Sequence, residues 1–368
     1  MSVPAAGSEL SPETYAERAA RAHRAMRRWF VPRRGIYRRE GRLHRPGTAA
    51  HLWPFIRAFV ATLDLAGAAG DFDAEAAIAE HLAILERYWD PEGPRPAYAS
   101  DVQGTRIGGD RYYDDNAWVG LALVQLERMR PGSGQLARAA DLFAFALQGW
   151  DRRPDVPAPG GVFWVEQGRG TGRGNHDRNT VSTAPNAQVG LHLGELAGAV
   201  PSGPAGPEEM HGWVERTLAT GTGLYWDKIR GDGSIDRAEW SYNQGNMIGL
   251  KVLLARARGD RGYVAQAEAI ARAALVRYAG AYEQQPAAFN AILFRNLLQL
   301  HAASQDDHLR GDVLAALRAY ADQVWGAERD NHGCVRLNGG RATLLDQSAV
   351  VSVHALLAWD AEDYRLLA

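Results

Sequence analysis

YYDDNAW, residues 112–118, sets two adjacent carboxylates, Asp114 and Asp115, behind two tyrosines and at the head of an apolar stretch. Val119, Ala122, Leu123 and Leu126 follow at three- and four-residue steps, the period of one helix face. An acidic pair at such a start is ordinarily a cap, because negative charge is favoured near a helix N-terminus. The same pair can also run glycosidic chemistry. Which reading holds depends on the rest of the chain.

Working outward, the helical period recurs. Leu52, Phe55, Ile56, Phe59, Val60 and Leu63 line one face, as do Val313, Leu314, Leu317, Tyr320, Ala321 and Val324. Twelve such segments are predicted, near 12–29, 52–68, 73–89, 114–130, 135–150, 184–199, 207–220, 242–257, 261–279, 286–304, 307–326 and 344–360. Ser11, Pro12 and Glu13 read as the start signal of the first. The segments pair into hairpins of roughly sixty residues, the signature of a repeat architecture. Aromatics mark the ends of the outer segments at Trp29, Trp89, Trp150, Tyr278 and Trp325, and Trp213 stands within the fourth. Four ends lead into a Gly-apolar loop, Gly35-Ile36-Tyr37, Gly161-Val162-Phe163-Trp164, Gly223-Leu224-Tyr225-Trp226 and Gly333-Cys334-Val335, which predicts short strands or turns. Six hairpins can close into an all-α (α/α)6 toroid of a single domain, with residues 1–11 disordered or extended. An open solenoid is the alternative, but neither end has an obvious polar cap.

The second segments of the hairpins begin AHLWPF (50–55), YYDDNAW, STAPNAQ (182–188), WSYNQGN (240–246), AAFNAIL (287–293) and LLDQSAV (344–350). Each start carries polar groups: His51, Asp114, Asp115, Asn116, Asn186, Asn243, Gln244, Asn290, Asp346 and Gln347. If these helices form an inner ring, their first turns converge at one mouth, flanked by Trp53, Tyr112, Tyr113, Trp118, Trp240 and Tyr242. Capping explains any one of these residues. Their clustering at all six starts points to a shared concave site. Aromatic rings would stack on sugar faces and amides would bond hydroxyls in pairs. Trp240 and Tyr242 read equally well as core aromatics.

YYDDNAW, TGLYWDKI with GDGSID, WSYNQGNMIGL, AFNAILFRNLLQL and LLDQSAVVSVHALLAW resemble in order the signatures of glycoside hydrolase family 76, the endo-α-1,6-mannanases and their relatives, and HLWPF and GGVFWVE also fit. The resemblance implies an (α/α)6 barrel and a retaining mechanism, with Asp114 as nucleophile and Asp115 as acid/base. The substrate it implies is an α-mannan or α-1,6-manno-oligosaccharide, and the clustering at the helix starts assigns its binding to Trp53, Tyr113, Asn116, Asn186, Trp240, Tyr242, Asn243, Gln244, Asn290, Asp346 and Gln347. The spacing suits this chemistry. Retaining enzymes need carboxyls ~5–5.5 Å apart, less than an inverting pair, and adjacent Cα atoms lie ~3.8 Å apart. Two acids so close resist joint ionisation, so one keeps a proton near neutral pH; the sequence alone does not say which. A transglycosylase with the same residues and a non-catalytic mannoside-binding protein are the rivals. A sugar epimerase would need a histidine pair at the mouth, where only His51 stands.

Other classes are disfavoured. Net charge is −2 over 368 residues, so no global field recruits nucleic acid. No apolar run approaches the ~20 residues of a membrane span, and residues 1–30 carry no apolar signal-type core, which predicts a cytoplasmic protein. Cys334 is the only cysteine and no HExxH or GxSxG motif occurs, so no metal or cofactor is expected. GDGSID with Glu239 has the outline of a calcium loop, but Lys228 and Arg230 occupy ligand positions that require oxygen. GRGTGRGNHDRN (168–179) reads as a mobile basic lid, or as a plain solvated loop. Asp306-Asp307 is a second acid pair, placed where capping suffices.

Overall fold

The computed structural model describes residues 13–31, 35–38, 49–68, 72–104 and 109–368; residues 1–11 lie outside them. Among the described residues twelve α-helices form: α1 (Tyr15–Phe30), α2 (Leu52–Gly67), α3 (Ala74–Leu85), α4 (Tyr113–Met129), α5 (Leu136–Gln148), α6 (Thr180–Ala197), α7 (Pro207–Leu218), α8 (Ser241–Arg258), α9 (Gly262–Tyr278), α10 (Ala287–Ala303), α11 (Asp307–Trp325) and α12 (Leu344–Leu357). Every predicted segment is present. The first starts differently: Thr14 is the cap, its hydroxyl accepting the Glu17 N–H while the Glu17 carboxylate accepts the Thr14 N–H. That reciprocal box replaces the expected Ser11-Pro12-Glu13 start. Ser11 and Pro12 lie outside the described residues.

The even-numbered helices form the inner ring. α2 packs on α4, α4 on α6, α6 on α8, α8 on α10, α10 on α12, and α12 back on α2, so the ring closes and the open solenoid is excluded. The two sets differ in burial as this demands. In α8 every residue from Ser241 to Ala255 is buried, whereas outer α9 buries only Val264, Ala267, Ile270, Ala271, Ala274 and Tyr278, one stripe at helical spacing. A helix enclosed on all sides has no solvent face to keep polar. Close ring packing also fixes Gly245, where a Cβ would meet the Leu293 Cα of α10 at 2.7 Å.

The barrel axis is polar. Arg295 pairs with Asp64 and donates to Gln125 at 2.6 Å, all three buried. A ~10 Å³ void beside Arg57, Trp118, Gln125 and Gln188 is just large enough for one water. These groups fill the barrel interior below the end where the inner helices begin.

Short strands form in the loops that follow the outer helices, but outside the four predicted Gly-apolar stretches, which contribute turns and isolated bridges. β1 (Trp89–Asp90) pairs antiparallel with β2 (Ala97–Tyr98). β3 (Arg178–Asn179), β4 (Lys228–Ile229) and β5 (Ile235–Asp236) form a second small antiparallel sheet. Isolated bridges join Trp150 to Val162, Ala219 to Tyr225 and Arg329 to Val335. Gly35, Gly161, Gly223 and Gly333 all have φ between 71° and 82°, a region that other residues adopt at a cost, which is why the motif begins with glycine. Among the described residues no helix is long and apolar enough to cross a membrane.

Candidate active site

At the end of the barrel where the inner helices begin lies an open cleft of about 560 Å³. Asp114 and Asp115 line it, from the first turn of α4, with Trp53, Tyr112, Trp118, Trp164, Tyr242 and Phe289 supplying ring surfaces. Trp53 and Trp118 lie 5.7 Å apart, Tyr112 and Trp164 5.0 Å, and Tyr242 stacks flat on Phe289 at 3.8 Å. Polar groups join them: His51, which contacts Asp101 at 2.8 Å, and Asn179, Asp227 and Lys228.

The two aspartates have unlike surroundings. The Asp114 Oδ1 accepts the Asp115 N–H at 2.9 Å and its Oδ2 accepts the indole N–H of Trp164 at 3.1 Å. Asp115 receives no such donor among the described residues. Burial pushes Asp114 up to about 7, opposed by those hydrogen bonds and helped by Asp227. Burial raises Asp115 well above the usual carboxylate range, and the charge of Asp114 adds to it. Hydrogen bonds favour the ionised form of their acceptor, so the proton of the pair belongs on Asp115.

A third carboxylate completes the electrostatics. Asp227, next to β4, is buried, and burial raises it against an opposing hydrogen bond from the Asn243 amide at 3.2 Å. Tyr242 lies near enough to Asp227 and Asp114 that both add to the burial that raises its hydroxyl. Beside them Lys228 holds Asp177 at 3.1 Å, with its ammonium 5.6 Å from the Trp164 ring.

Of the residues expected at the mouth, the structure brings Asp114, Asp115, His51, Trp53, Tyr112, Trp118 and Tyr242 to the cleft, with Asn243 directly behind Asp227. The remaining ones point elsewhere. Tyr113 turns into the wall and stacks on Phe145 at 4.5 Å, while its neighbour Tyr112 faces the cleft. Trp240 packs edge-on against Phe289, outside the cleft lining. The Asn116 amide bonds both backbone groups of Tyr98. Gln244 does the same for Tyr225. Gln347 accepts the Val335 N–H and donates to the Ala22 carbonyl. Asn186 donates to the Tyr113 carbonyl, and Asn290 donates to Tyr282 while accepting from Ser241. These amides recur at the starts of five of the six inner helices, α2 having none, and each satisfies backbone groups buried against its helix. Asp346 accepts from the Thr343 hydroxyl at 2.7 Å and faces a separate depression.

The 168–179 loop is tethered, not free. Thr171 donates its N–H and hydroxyl to Asp110, Arg169 meets Asp90 and Glu166, and buried Arg178 donates to the carbonyls of Pro157, Ala158 and Gly160. Only Arg173 of its arginines stays exposed without a described partner. Asp306 behaves as a cap, accepting the Leu309 N–H at 3.0 Å. That bond first, then Arg272, lowers its pKa against the pull of burial, the opposite of Asp114.

Sequence reasoning missed Asp227, Trp164, Lys228, Asn179 and Phe289. Asp227 and Trp164 stand in the TGLYWDKI and GGVFWVE stretches but on loops, where no periodicity says which way a side chain turns. Buried Asn179, the residue that precedes α6, lines the cleft.

This site sits in a known family. The model of glycosyl hydrolase family 76 matches residues 14–358. The chain belongs to glycosyl hydrolase family 76. It is therefore a glycoside hydrolase, as the sequence resemblance implied. No curated protein matches the sequence. Among solved structures, the family 76 α-mannanase of Bacteroides thetaiotaomicron superposes with a TM-score of 0.79 at 17% identity, covering 94% of this chain and 95% of that one. An inactive variant of a Salegentibacter α-1,6-mannanase with two aspartate-to-asparagine changes, in complex with α-1,6-mannotriose, gives 0.74 at 21%, covering 94% and 99%. Dfg5 from Chaetomium thermophilum in complex with glucosamine gives 0.66 at 16%, covering 96% and 90%. At these identities the likeness establishes the (α/α)6 fold of this family 76 member.

Proposed function

We propose that the protein cleaves α-1,6-mannosidic bonds, of endo type, by a retaining double displacement. The observation that carries this reading is the asymmetry of the pair: Asp114 is held by two N–H donors, while Asp115 has none and carries the higher affinity for a proton. Asp114, ionised, attacks the anomeric carbon as the glycosidic C–O bond breaks, and the leaving oxygen takes the proton of Asp115. Asp115, now a carboxylate, removes a proton from water. The water oxygen attacks the anomeric carbon and Asp114 leaves with its electron pair, restoring both groups.

The rings of Trp53, Tyr112, Trp118 and Trp164 offer faces for pyranose stacking, and Asp227, Lys228 and Asn179 offer partners for hydroxyls. The α-1,6-linkage is supported by the ligand of the Salegentibacter neighbour. The test is incubation with linear α-1,6-mannotetraose, following the first-formed product by proton NMR. An α-anomeric first product is expected; a β-anomeric one, or no cleavage, refutes the reading. Longer products on adding a sugar acceptor would assign the same residues to glycosyl transfer instead.

A further inference from the structure

A second depression opens on the same end of the barrel, between the start of α10, the start of α12 and the end of α11. It holds about 180 Å³ and is lined by Tyr282, Tyr320 and Asp346 together with apolar Val324, Ala327 and Leu337. Tyr282 is buried, and its hydroxyl has no hydrogen-bond partner among the described residues. A buried hydroxyl left unmet is costly and calls for a partner. The Asp346 Oδ2 accepts from Thr343, which leaves its Oδ1 open among the described residues. Tyr282 and Tyr320 stand with ring centroids 5.5 Å apart, and the Tyr320 hydroxyl feels both Asp346 and Tyr282. Two phenols and the carboxylates of Asp346 and Glu283 therefore meet beside apolar Val324, Ala327 and Leu337, hydrogen-bonding groups next to an apolar face, as a polyhydroxylated ring requires.

Position adds a second argument. Pro286 and Ala287 line this depression, whereas Phe289, two residues on in the same helical turn, lines the catalytic cleft. Gln285 fixes the partition by accepting the Ser241 N–H at 3.0 Å, one residue before Tyr242 of the cleft. A glycan that leaves the cleft over Phe289 meets the depression one turn away.

We propose that this depression is a second, non-catalytic sugar site, holding one pyranose unit of the glycan whose scissile bond lies in the cleft. The proposal rests on the mannoside-cleaving reading above. Its test compares α-1,6-mannotriose with a long α-1,6-mannan. Gln323→Trp fills the depression from an exposed position at its edge, and Tyr282→Phe removes the unmet hydroxyl. Both variants are expected to lower kcat/KM on mannan roughly three- to tenfold, the effect of about one net hydrogen bond. Gln323→Trp should leave the trisaccharide kinetics unchanged. Unchanged kinetics on both substrates overturn the second site and assign the depression to water; equal losses on both mean a structural effect and overturn it too. Absence of trisaccharide turnover in the wild type instead overturns the cleft reading, and with it this one.

Discussion

Trp164→Phe separates electrostatic tuning of the nucleophile from simple binding. The indole N–H donates to the Asp114 Oδ2 at 3.1 Å and favours the carboxylate. Phenylalanine keeps a ring against Tyr112 but loses the donor. A hydrogen bond to a charged group is worth ~1.5–3 kcal/mol when nothing replaces it, and a pKa unit is ~1.4 kcal/mol. Water entering the open cleft restores part of that loss, so an upward shift of about 0.5–1 unit is expected in the acidic limb. The sign follows from the chemistry: Asp114 must be ionised, so raising its affinity for protons moves the limb to higher pH. The assay is the pH profile of kcat/KM on an α-1,6-manno-oligosaccharide. Activity should fall most on the acidic side and recover as pH rises. An acidic limb that stays in place, with a loss uniform across pH, would refute the argument and make Trp164 a sugar platform only.

Asp114→Asn and Asp115→Asn should each abolish turnover of mannosides with the fold retained by circular dichroism, while Asp115→Asn should keep measurable burst glycosylation on an aryl mannoside whose leaving group needs no proton. Asp306→Ala, by contrast, should leave activity intact and lower the midpoint of urea titration slightly through the lost cap. Gln244→Leu and Gln347→Leu should destabilise by about 2–4 kcal/mol, because each strands buried backbone groups, with KM little changed; a raised KM at unaltered stability would restore them to the sugar site. Burial, the largest cause, lowers His23 to about 3 and His81 to about 4, so between pH 6.5 and 4 the unfolded chain binds more protons than the folded one. Stability should therefore fall with falling pH through that window, by roughly 1.4 kcal/mol per unit per histidine at most, and His81→Gln should flatten the decline of Tm.

The helices were legible because an enclosed inner helix and a half-enclosed outer one write different patterns of apolar spacing, as α8 and α9 illustrate. Closure of the ring was legible from the count of hairpins and from the lack of an obvious polar cap at either end. The site was legible only in part. Neighbours on a helix diverge by about a hundred degrees, so Tyr112 and Tyr113 face opposite ways, and the sequence favoured the wrong one. An amide that caps a buried strand and an amide that binds a sugar are the same residue at the same helix start; only the partner distinguishes them, and for Asn116, Gln244 and Gln347 the partner is backbone. Asp227 and Trp164 arrive on loops from distant hairpins, and their convergence on Asp114 is a property of the closed ring rather than of any local stretch.

The central claim is that Asp114 forms a bond to sugar while Asp115 moves the proton. Peptide mass mapping after rapid quenching with a 2-fluoro-mannosyl fluoride tests it most directly. A single mannosyl adduct on Asp114, retained in Asp115→Asn and missing in Asp114→Asn, is the predicted result. An adduct on Asp115, or turnover of natural substrate to an inverted product with neither residue labelled, would contradict it.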